Sequence, residues 1–367
     1  MQNTVRRSPI PKVDVRRVGL WAFATVTALF LAWRAWIVLF VERTYDLKAW
    51  VTLLVAGVVL GAIYALIALG YTLVYGILLM INFAHGEVMM LGGFLGFFAL
   101  ELLNLVGFTE NHPTVAIVLV FVVGMLTSMI AGVVLERLAY RPLRNAPRLV
   151  PLISAIGASI FLQNAALRIF GPKIRNYQNP SVLLRGRGWL VGQGIIGDGV
   201  LITYTGVLTL GLSVFLMVGL LLLIQRTRVG KAMRAVAEDK ETAARMGVDV
   251  DWIIAFTFAL AGILAGGGGA MWGFHNGQIK HTVGFMPGLK AFTAAVLGGI
   301  GNVPGAMLGG FFLGIAESVG PAILGLDFQL KDAIAFSLLV LLLIGLRDSK
   351  KLSAPAMLGE PYKRGER

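Results

Sequence analysis

Val51-Thr-Leu-Leu-Val-Ala-Gly-Val-Val-Leu-Gly-Ala-Ile-Tyr-Ala-Leu66 runs without one charged side chain, and its apolar character continues to residue 81. This run and a second, Gly206 to Ile224, approach or reach the ~20 residues needed to cross ~30 Å of hydrocarbon. Leu208 to Ile224 shows no two-residue alternation of apolar and polar side chains, the mark of a barrel strand, so the spanning elements are helices. The whole chain is 57% hydrophobic and 14% charged, more apolar surface than a water-soluble core can hide. The fold class that follows is all-α, a polytopic membrane protein in contact with membrane lipid.

Glycine is abundant, and small-xxx-small spacings such as Gly266 to Ala270 and Gly305 to Gly309 predict close helix approach. The chain has no Cys, so disulfides, thiol nucleophiles and cysteine metal sites are excluded. Its four His, at 85, 112, 275 and 281, do not form HExxH, so no metal site and no catalytic residues are expected. No G-x-x-x-x-G-K-[ST] occurs either: Gly230-Lys231 is followed by Ala232, so the chain cannot cradle ATP phosphates in a P-loop. The formal charge of +13 sits in loops rather than on one soluble face, which argues against nucleic acid as a partner.

Most of the 32 basic residues lie in four segments: the N-terminus to Arg17, Arg137 to Arg148, Arg226 to Arg245, and the tail after Leu346. By the positive-inside rule all four are cytoplasmic. About ten spans satisfy this topology, near 19–42, 51–81, 87–107, 114–136, 149–170, 205–225, 252–275, 286–301, 303–324 and 330–346, with both termini inside. The first continues past Arg34 to Val41 without an evident cleavage site, so it reads as a retained anchor rather than a signal peptide. Residues 1–48 form an N-terminal cytoplasmic segment with this extra span, 49–346 the main transmembrane domain, and 347–367 a basic cytoplasmic tail.

Two spans are abnormal. Residues 51–81 are too long for one straight crossing, and 286–301 are short and rich in Gly. Each leads into a second helix through a polar turn, Asn82-Phe-Ala-His-Gly-Glu87 in one case and Gly301-Asn-Val-Pro-Gly305 in the other, so the backbone is expected to break twice at membrane depth. Met90-Leu-Gly-Gly-Phe94 recurs as Met307-Leu-Gly-Gly-Phe311 just after these breaks. A parallel internal repeat is the economical reading, with a solute pathway between the halves.

The connection Gly230-Lys-Ala-Met-Arg-Ala-Val-Ala-Glu-Asp-Lys-Glu-Thr-Ala-Ala-Arg-Met-Gly247 reads as helix, turn, helix. Alanines, Ala243 and Ala244 among them, supply helix propensity. Arg234, Glu238, Asp239 and Glu241 keep it solvated, and Gly247 suits the positive φ of a helix stop. Such an element suits a groove on a soluble partner, although a charged loop that only fixes topology would read alike.

Ordered matches then identify the chain as similar to the high-affinity branched-chain amino acid permeases of bacterial ABC importers, the H-type subunit. They run over roughly residues 50–346: Tyr64-Ala-Leu-Ile-Ala-Leu-Gly-Tyr-Thr-Leu-Val-Tyr-Gly76, Met80-Ile-Asn-Phe-Ala-His-Gly-Glu87, Tyr140-Arg-Pro-Leu-Arg144, Leu152-Ile-Ser-Ala-Ile-Gly157, Phe161-Leu-Gln-Asn164 and Lys290-Ala-Phe-Thr-Ala-Ala-Val-Leu-Gly-Gly-Ile-Gly301. The resemblance implies a non-catalytic transport subunit of the inner membrane, with a second permease subunit of M type, two cytoplasmic ATPase subunits and an extracytoplasmic solute-binding protein. Cofactors in this chain are none, ATP and Mg being bound by the ATPases, and Gly230 to Gly247 looks like the ATPase-coupling loop. The segment Met1 to Lys48 and the ending Ile344-Gly-Leu-Arg-Asp-Ser-Lys-Lys351 depart from the shorter family pattern.

A zwitterionic cargo needs donors and acceptors where helices break. The candidates for its pathway are Asn82, His85, Gly86, Glu87 and Asn302 at the breaks, with Gln163, Asn164 and Glu317 inside apolar spans. His85 and Glu87 read equally as caps of the following helix, and Gln163, Asn164 and Glu317 as inter-helix hydrogen-bond formers. Lys290 is expected to snorkel to the outer surface. The sequence leaves open a permease for urea, short amides or aromatic acids, and a stand-alone secondary transporter.

Overall fold

The computed structural model describes residues 45–337 apart from 145, 148, 185 and 195–197, together with residues 25, 29–30, 32–34, 36–42 and 340. The expected spans 19–42 and 330–346 are therefore described only in part, and the tail 347–367 lies wholly outside the described residues. The main helices are α1 (Leu47–Leu78), α2 (His85–Leu105), α3 (Pro113–Leu135), α4 (Leu149–Phe170) and α5 (Tyr204–Arg226), then α6 (Arg228–Glu238), α7 (Lys240–Arg245), α8 (Val250–Asn276), α9 (Phe285–Gly298) and α10 (Val303–Leu324). Among the described residues seven helices are long and apolar enough to cross a membrane, namely α1 to α5, α8 and α10, and α9 is a shorter apolar one. The chain is an all-α, multi-pass membrane protein.

Local chemistry sets the helix ends. Asp46 accepts from the Ala49 amide at 2.8 Å to start α1, Asp249 accepts from Trp252 at 3.0 Å to start α8, and Pro113 occupies the first turn of α3. The long first span is one continuous helix of 32 residues. At ~1.5 Å per residue it measures ~48 Å, which a ~30 Å hydrocarbon layer accommodates by tilt or by projecting ends rather than by a break within the helix. It stops at Leu79, whose φ of 55° is left-handed and whose N–H reaches the Tyr75 carbonyl at 2.8 Å.

The core is formed where α1, α2, α3, α8 and α10 pack together, and the second half of α1 is buried almost without interruption from Gly61 to Val74. Helices α4 and α5 lie at the margin and leave Ile153, Ile160, Phe161, Phe215 and Leu222 exposed, as lipid-facing positions are. Lipid tails are as apolar as leucine, so close packing rather than water exclusion must hold such helices together. A side-chain carbon on Gly314 of α10 would fall on the backbone of Gly61 in α1, and Gly266 of α8 meets Gly124 of α3 in the same way. The spacings that predict close approach thus mark real contacts, including Gly305 against Gly298 and Gly309 against the Ala294 carbonyl.

The connection between α4 and α5 is not wholly irregular. β1 (Arg175–Asn176) pairs antiparallel with β4 (Gln278–Ile279), and β2 (Gly188–Val191) with β3 (Val200–Thr203). Tyr177 follows β1 and donates its hydroxyl to the Gly93 carbonyl at 2.5 Å, tying this connection to α2. At the far end of the bundle Arg144 pairs with both Glu136 and Asp251, and Arg141 with Asp251, fastening the turn after α3 to the start of α8.

Candidate functional site

Both predicted breaks are present, with their limits shifted. The first covers residues 79–84, so His85, Gly86 and Glu87 are the opening turn of α2 rather than part of the turn between helices. The second covers residues 299–302, with Gly299 and Gly301 at φ 88° and 94°, and Val303 to Gly305 already belong to α10. After the first break the chain doubles back. His85 packs against Gly70, so closely that a side-chain carbon there would collide with its ring. Gly70 lies eight residues before the end of α1, so α2 begins ~12 Å inside the bundle from that end.

At this depth α2 meets the start of α9. Gly86 abuts Gly284 and Gly288, contacts only hydrogen side chains allow, because a carbon on Gly86 would occupy the position of the Gly284 carbonyl oxygen. Tyr71 of α1 stacks edge-on against His85, with ring centroids 4.8 Å apart, and lies against Phe292 of α9 at 5.9 Å. Glu87 is buried, and its Oε1 accepts from Gln163 Nε2 at 2.7 Å and from the Ser159 hydroxyl at 3.5 Å, both on α4. Its Oε2 and the Nε2 of His85 have no hydrogen-bond partner. Neither side chain caps α2 by a hydrogen bond, but Glu87 sits in its first turn, where a carboxylate offsets the unpaired N–H groups electrostatically as the capping alternative expects. Beside this polar corner Tyr71, Tyr75, Ile81, Phe292, Ala295 and Ile300 surround a closed apolar cleft with no room for a water molecule. Ile81 and Ile300 come one from each break.

The other candidates are distributed as follows. Asn82 is buried and accepts from the Tyr140 hydroxyl at 2.7 Å, which anchors the first break to the turn after α3. Asn302 accepts from the Gly305 amide at 3.3 Å and so caps α10. Asn164 is exposed and donates to the Ile160 carbonyl of its own helix at 2.8 Å, away from the Glu87 corner. Glu317 belongs to a separate charged cluster: Lys290 Nζ lies 2.7 Å from Glu317 Oε1 and 2.5 Å from Asp332 Oδ1, and Tyr64 donates to Glu317 Oε2 at 3.0 Å. The snorkelling expected of Lys290 is therefore wrong. Its side chain is only 6% exposed because Glu317 inside the bundle and the half-buried Asp332 offer what the surface would have supplied. Tyr64, Tyr71, Tyr140, Ser159 and Asp332 did not stand out in the sequence, save that Tyr64 and Tyr71 are two helical turns apart on one face of α1.

The segment between α5 and α8 forms α6 and α7 with a turn at Asp239. That residue accepts from the Glu241 and Thr242 amides at 2.9 and 3.2 Å and from the Thr242 hydroxyl at 2.5 Å. The Thr242 hydroxyl bond holds the Asp239 carboxyl below the usual carboxylate range. Gly230, Met233, Val236 and Ala243 face inward, while Arg234, Glu238, Asp239, Glu241, Ala244 and Gly247 are exposed. Gly247 has φ 87°, as a helix stop requires, and Met246 beside it is 80% exposed.

A family model described as branched-chain amino acid transport system / permease component matches residues 53–343, a stretch that contains both breaks, the Glu87 corner, the charged cluster and the α6–α7 segment. The chain belongs to this permease family. It is 45% identical over 291 residues to the high-affinity branched-chain amino acid transport system permease protein BraD of Pseudomonas aeruginosa, covering 79% of this chain and 92% of that one. It is 44% identical over 288 residues to LivH of Escherichia coli strain K12, covering 78% and 91%. A probable branched-chain amino acid transport permease protein LivH of Methanocaldococcus jannaschii is 30% identical over 272 residues, covering 73% and 80%. No solved structure matches the chain. In the permease, the Tyr140-Arg-Pro-Leu-Arg144 stretch acts as a fastener, Tyr140 holding the first break and Arg141 and Arg144 holding the start of α8. The repeated Met-Leu-Gly-Gly-Phe pentapeptides lie just after the first turn of α2 and of α10, and their glycines make close contacts in both places, Gly92 with Gly266 and Gly310 with Ala65.

Proposed function

We propose that this chain is the membrane-spanning permease subunit of an ATP-binding-cassette importer that carries branched-chain or related amino acids across the bacterial inner membrane, with both termini cytoplasmic. The observation that carries the reading is the family match over residues 53–343, which takes in every feature a solute path and a coupling element would need. The partners of the complex are a second permease subunit, two cytoplasmic ATPase subunits that bind ATP and Mg, and an extracytoplasmic solute-binding protein. The missing P-loop supports this division of labour, since the driving energy must come from another chain.

The path runs past the two breaks. Its polar groups are Asn82, His85, Glu87 and Gln163, with Gly86 permitting the close crossing, Asn302 shaping the second break, and Glu317 in the charged cluster. The closed cleft between the breaks would offer an apolar wall to a branched aliphatic side chain once its helices part. Coupling goes through α6 and α7. Met233 and Val236 seat α6 on the bundle, and the exposed row Arg234, Glu238, Asp239 and Glu241 is left for an ATPase surface. Closure of the ATPase pair on ATP would pull this segment and shift the bundle between outward-open and inward-open states.

The test is uptake of labelled leucine by the reconstituted complex, with urea, short amides and aromatic acids as competitors. Leucine uptake that requires ATP and resists those competitors is expected. Uptake by this chain without ATPase subunits would refute the reading in favour of a secondary transporter, and displacement of leucine by one competitor class would reassign the cargo.

A further inference from the structure

A buried polar atom without a partner calls for explanation, because leaving it unmade costs more than a made hydrogen bond returns. Glu87 is only 1% exposed, yet one of its two carboxylate oxygens is unpartnered. The arrangement is specific. Gln163 and Ser159 both approach Oε1, which fixes the carboxylate plane and leaves Oε2 turned towards Gly284, at the point where α2 meets the beginning of α9. Among the described residues no Lys or Arg forms an ion pair with Glu87, and Lys290, the buried cation of α9, is engaged by Glu317 and Asp332 instead. The neighbouring His85 carries a second unpartnered atom, Nε2. Tyr71 links this corner to the apolar cleft, since its ring contacts His85 and also lines the cleft.

A carboxylate oxygen held ready, buried and without a protein cation suits a small ligand that brings its own positive charge and N–H donors. Next to it lie the apolar side chains of the closed cleft. Resting on the reading of this chain as an amino acid permease, we infer that Glu87 Oε2 accepts the ammonium group of the solute in passage, its side chain meeting the apolar residues Tyr71, Ile81, Phe292 and Ile300 as the closed cleft between the helices parts. Glu87 is then a specificity-determining residue of the permease itself, requiring a free ammonium. This sets amino acids apart from urea, short amides and aromatic acids, which lack that group.

The experiment uses the full complex in proteoliposomes with its ATPases, second permease subunit and loaded binding protein. In Glu87→Gln, labelled leucine uptake should fall by about tenfold to a hundredfold, the loss of one charge-assisted contact. ATP hydrolysis stimulated by the loaded binding protein should persist, because docking and coupling lie elsewhere. Glu87→Asp, which keeps the charge, should retain part of the uptake. A second measurement needs no variant. Leucine and isoamylamine, which share the ammonium, should protect the detergent-purified wild-type complex from thermal unfolding, and 4-methylpentanoate, which lacks it, should not. Unchanged uptake in Glu87→Gln, loss of uptake and stimulated hydrolysis in equal proportion, or protection by 4-methylpentanoate equal to that by leucine would each overturn the inference. A wild-type complex that does not import leucine at all would instead overturn the broader reading of the cargo.

Discussion

Replacing Lys290 by Met should remove the one buried cation that α9 contributes to the bundle while preserving most of its volume. In the wild type Lys290 Nζ lies 2.7 Å from Glu317, 2.5 Å from Asp332 and 3.4 Å from the Tyr64 hydroxyl. The two carboxylates would respond differently to its loss. The Asp332 side chain is 42% exposed and can rehydrate, whereas that of Glu317 is 1% exposed and would keep only the Tyr64 hydroxyl and Lys331, 3.9 Å away and half in solvent. The expected cost is therefore that of one uncompensated buried carboxylate, about 3–5 kcal/mol, towards the lower figure because Lys331 can move closer. Removing both partners in Lys290→Met/Glu317→Met should recover most of it, since a buried ion pair exchanged for apolar groups is often near neutral. Chemical unfolding of the purified permease in mixed micelles, run as a double-mutant cycle, measures both quantities. A Lys290→Met variant within about 1 kcal/mol of wild type, or a double variant no better than the single, would refute the account of this cluster.

Three further outcomes are expected. Gly314→Val should prevent α10 from seating on Gly61 of α1, giving a chain that inserts but elutes as aggregate in gel filtration, while Gly157→Val, at a position with open space around it, should leave the elution profile unchanged. The Asp239 carboxyl, held below its usual range by the Thr242 hydroxyl, contributes to the start of α7 above the usual carboxylate pKa and loses that contribution as pH falls through its lowered value. Protection of the Glu241 and Thr242 amides, taken relative to the intrinsic exchange rate at each pH, should consequently fall on acidification in the wild type and be low already at neutral pH in Asp239→Ala. Neutralising the exposed row with Glu238→Gln, Asp239→Asn and Glu241→Gln should leave the permease folded but reduce its co-purification with the ATPase subunits. Undiminished co-purification would remove the docking role.

Much of the architecture was legible in order along the chain, because hydrocarbon length and backbone satisfaction act on contiguous residues. The helices Leu149–Phe170 and Val303–Leu324 fall where the apolar runs place them, and the helix–turn–helix after α5 follows from its alanines, Asp239 and Gly247. The breaks were visible as polar, Gly-containing interruptions, but their limits were not. Helix α1 ends at a left-handed Leu79, a conformation that leucine does not advertise, and His85 to Glu87 are helical although their composition suggests a turn.

The candidate site divides in the same way. Polarity in an apolar context was enough to single out Asn82, His85, Glu87, Gln163 and Glu317, since a polar group in a span must find a partner whatever the fold. Which partner it finds depends on residues far away in the chain. Gln163 reaches Glu87 across 76 positions and Asn164 beside it does not, because a helix turns successive side chains by about 100° and only one of the two can face α2. Lys290 turned inward because Glu317 and Asp332 converge on it from other elements. The sequence by itself determined that this chain crosses a membrane as helices, where it is interrupted, and that it has no P-loop. Only the tertiary structure decided that the start of α2 meets the start of α9 at Gly86 and Gly284 and that one oxygen of Glu87 is left unpartnered there, because such pairings arise from glycine-permitted contacts between helices rather than from the order of residues along any one of them.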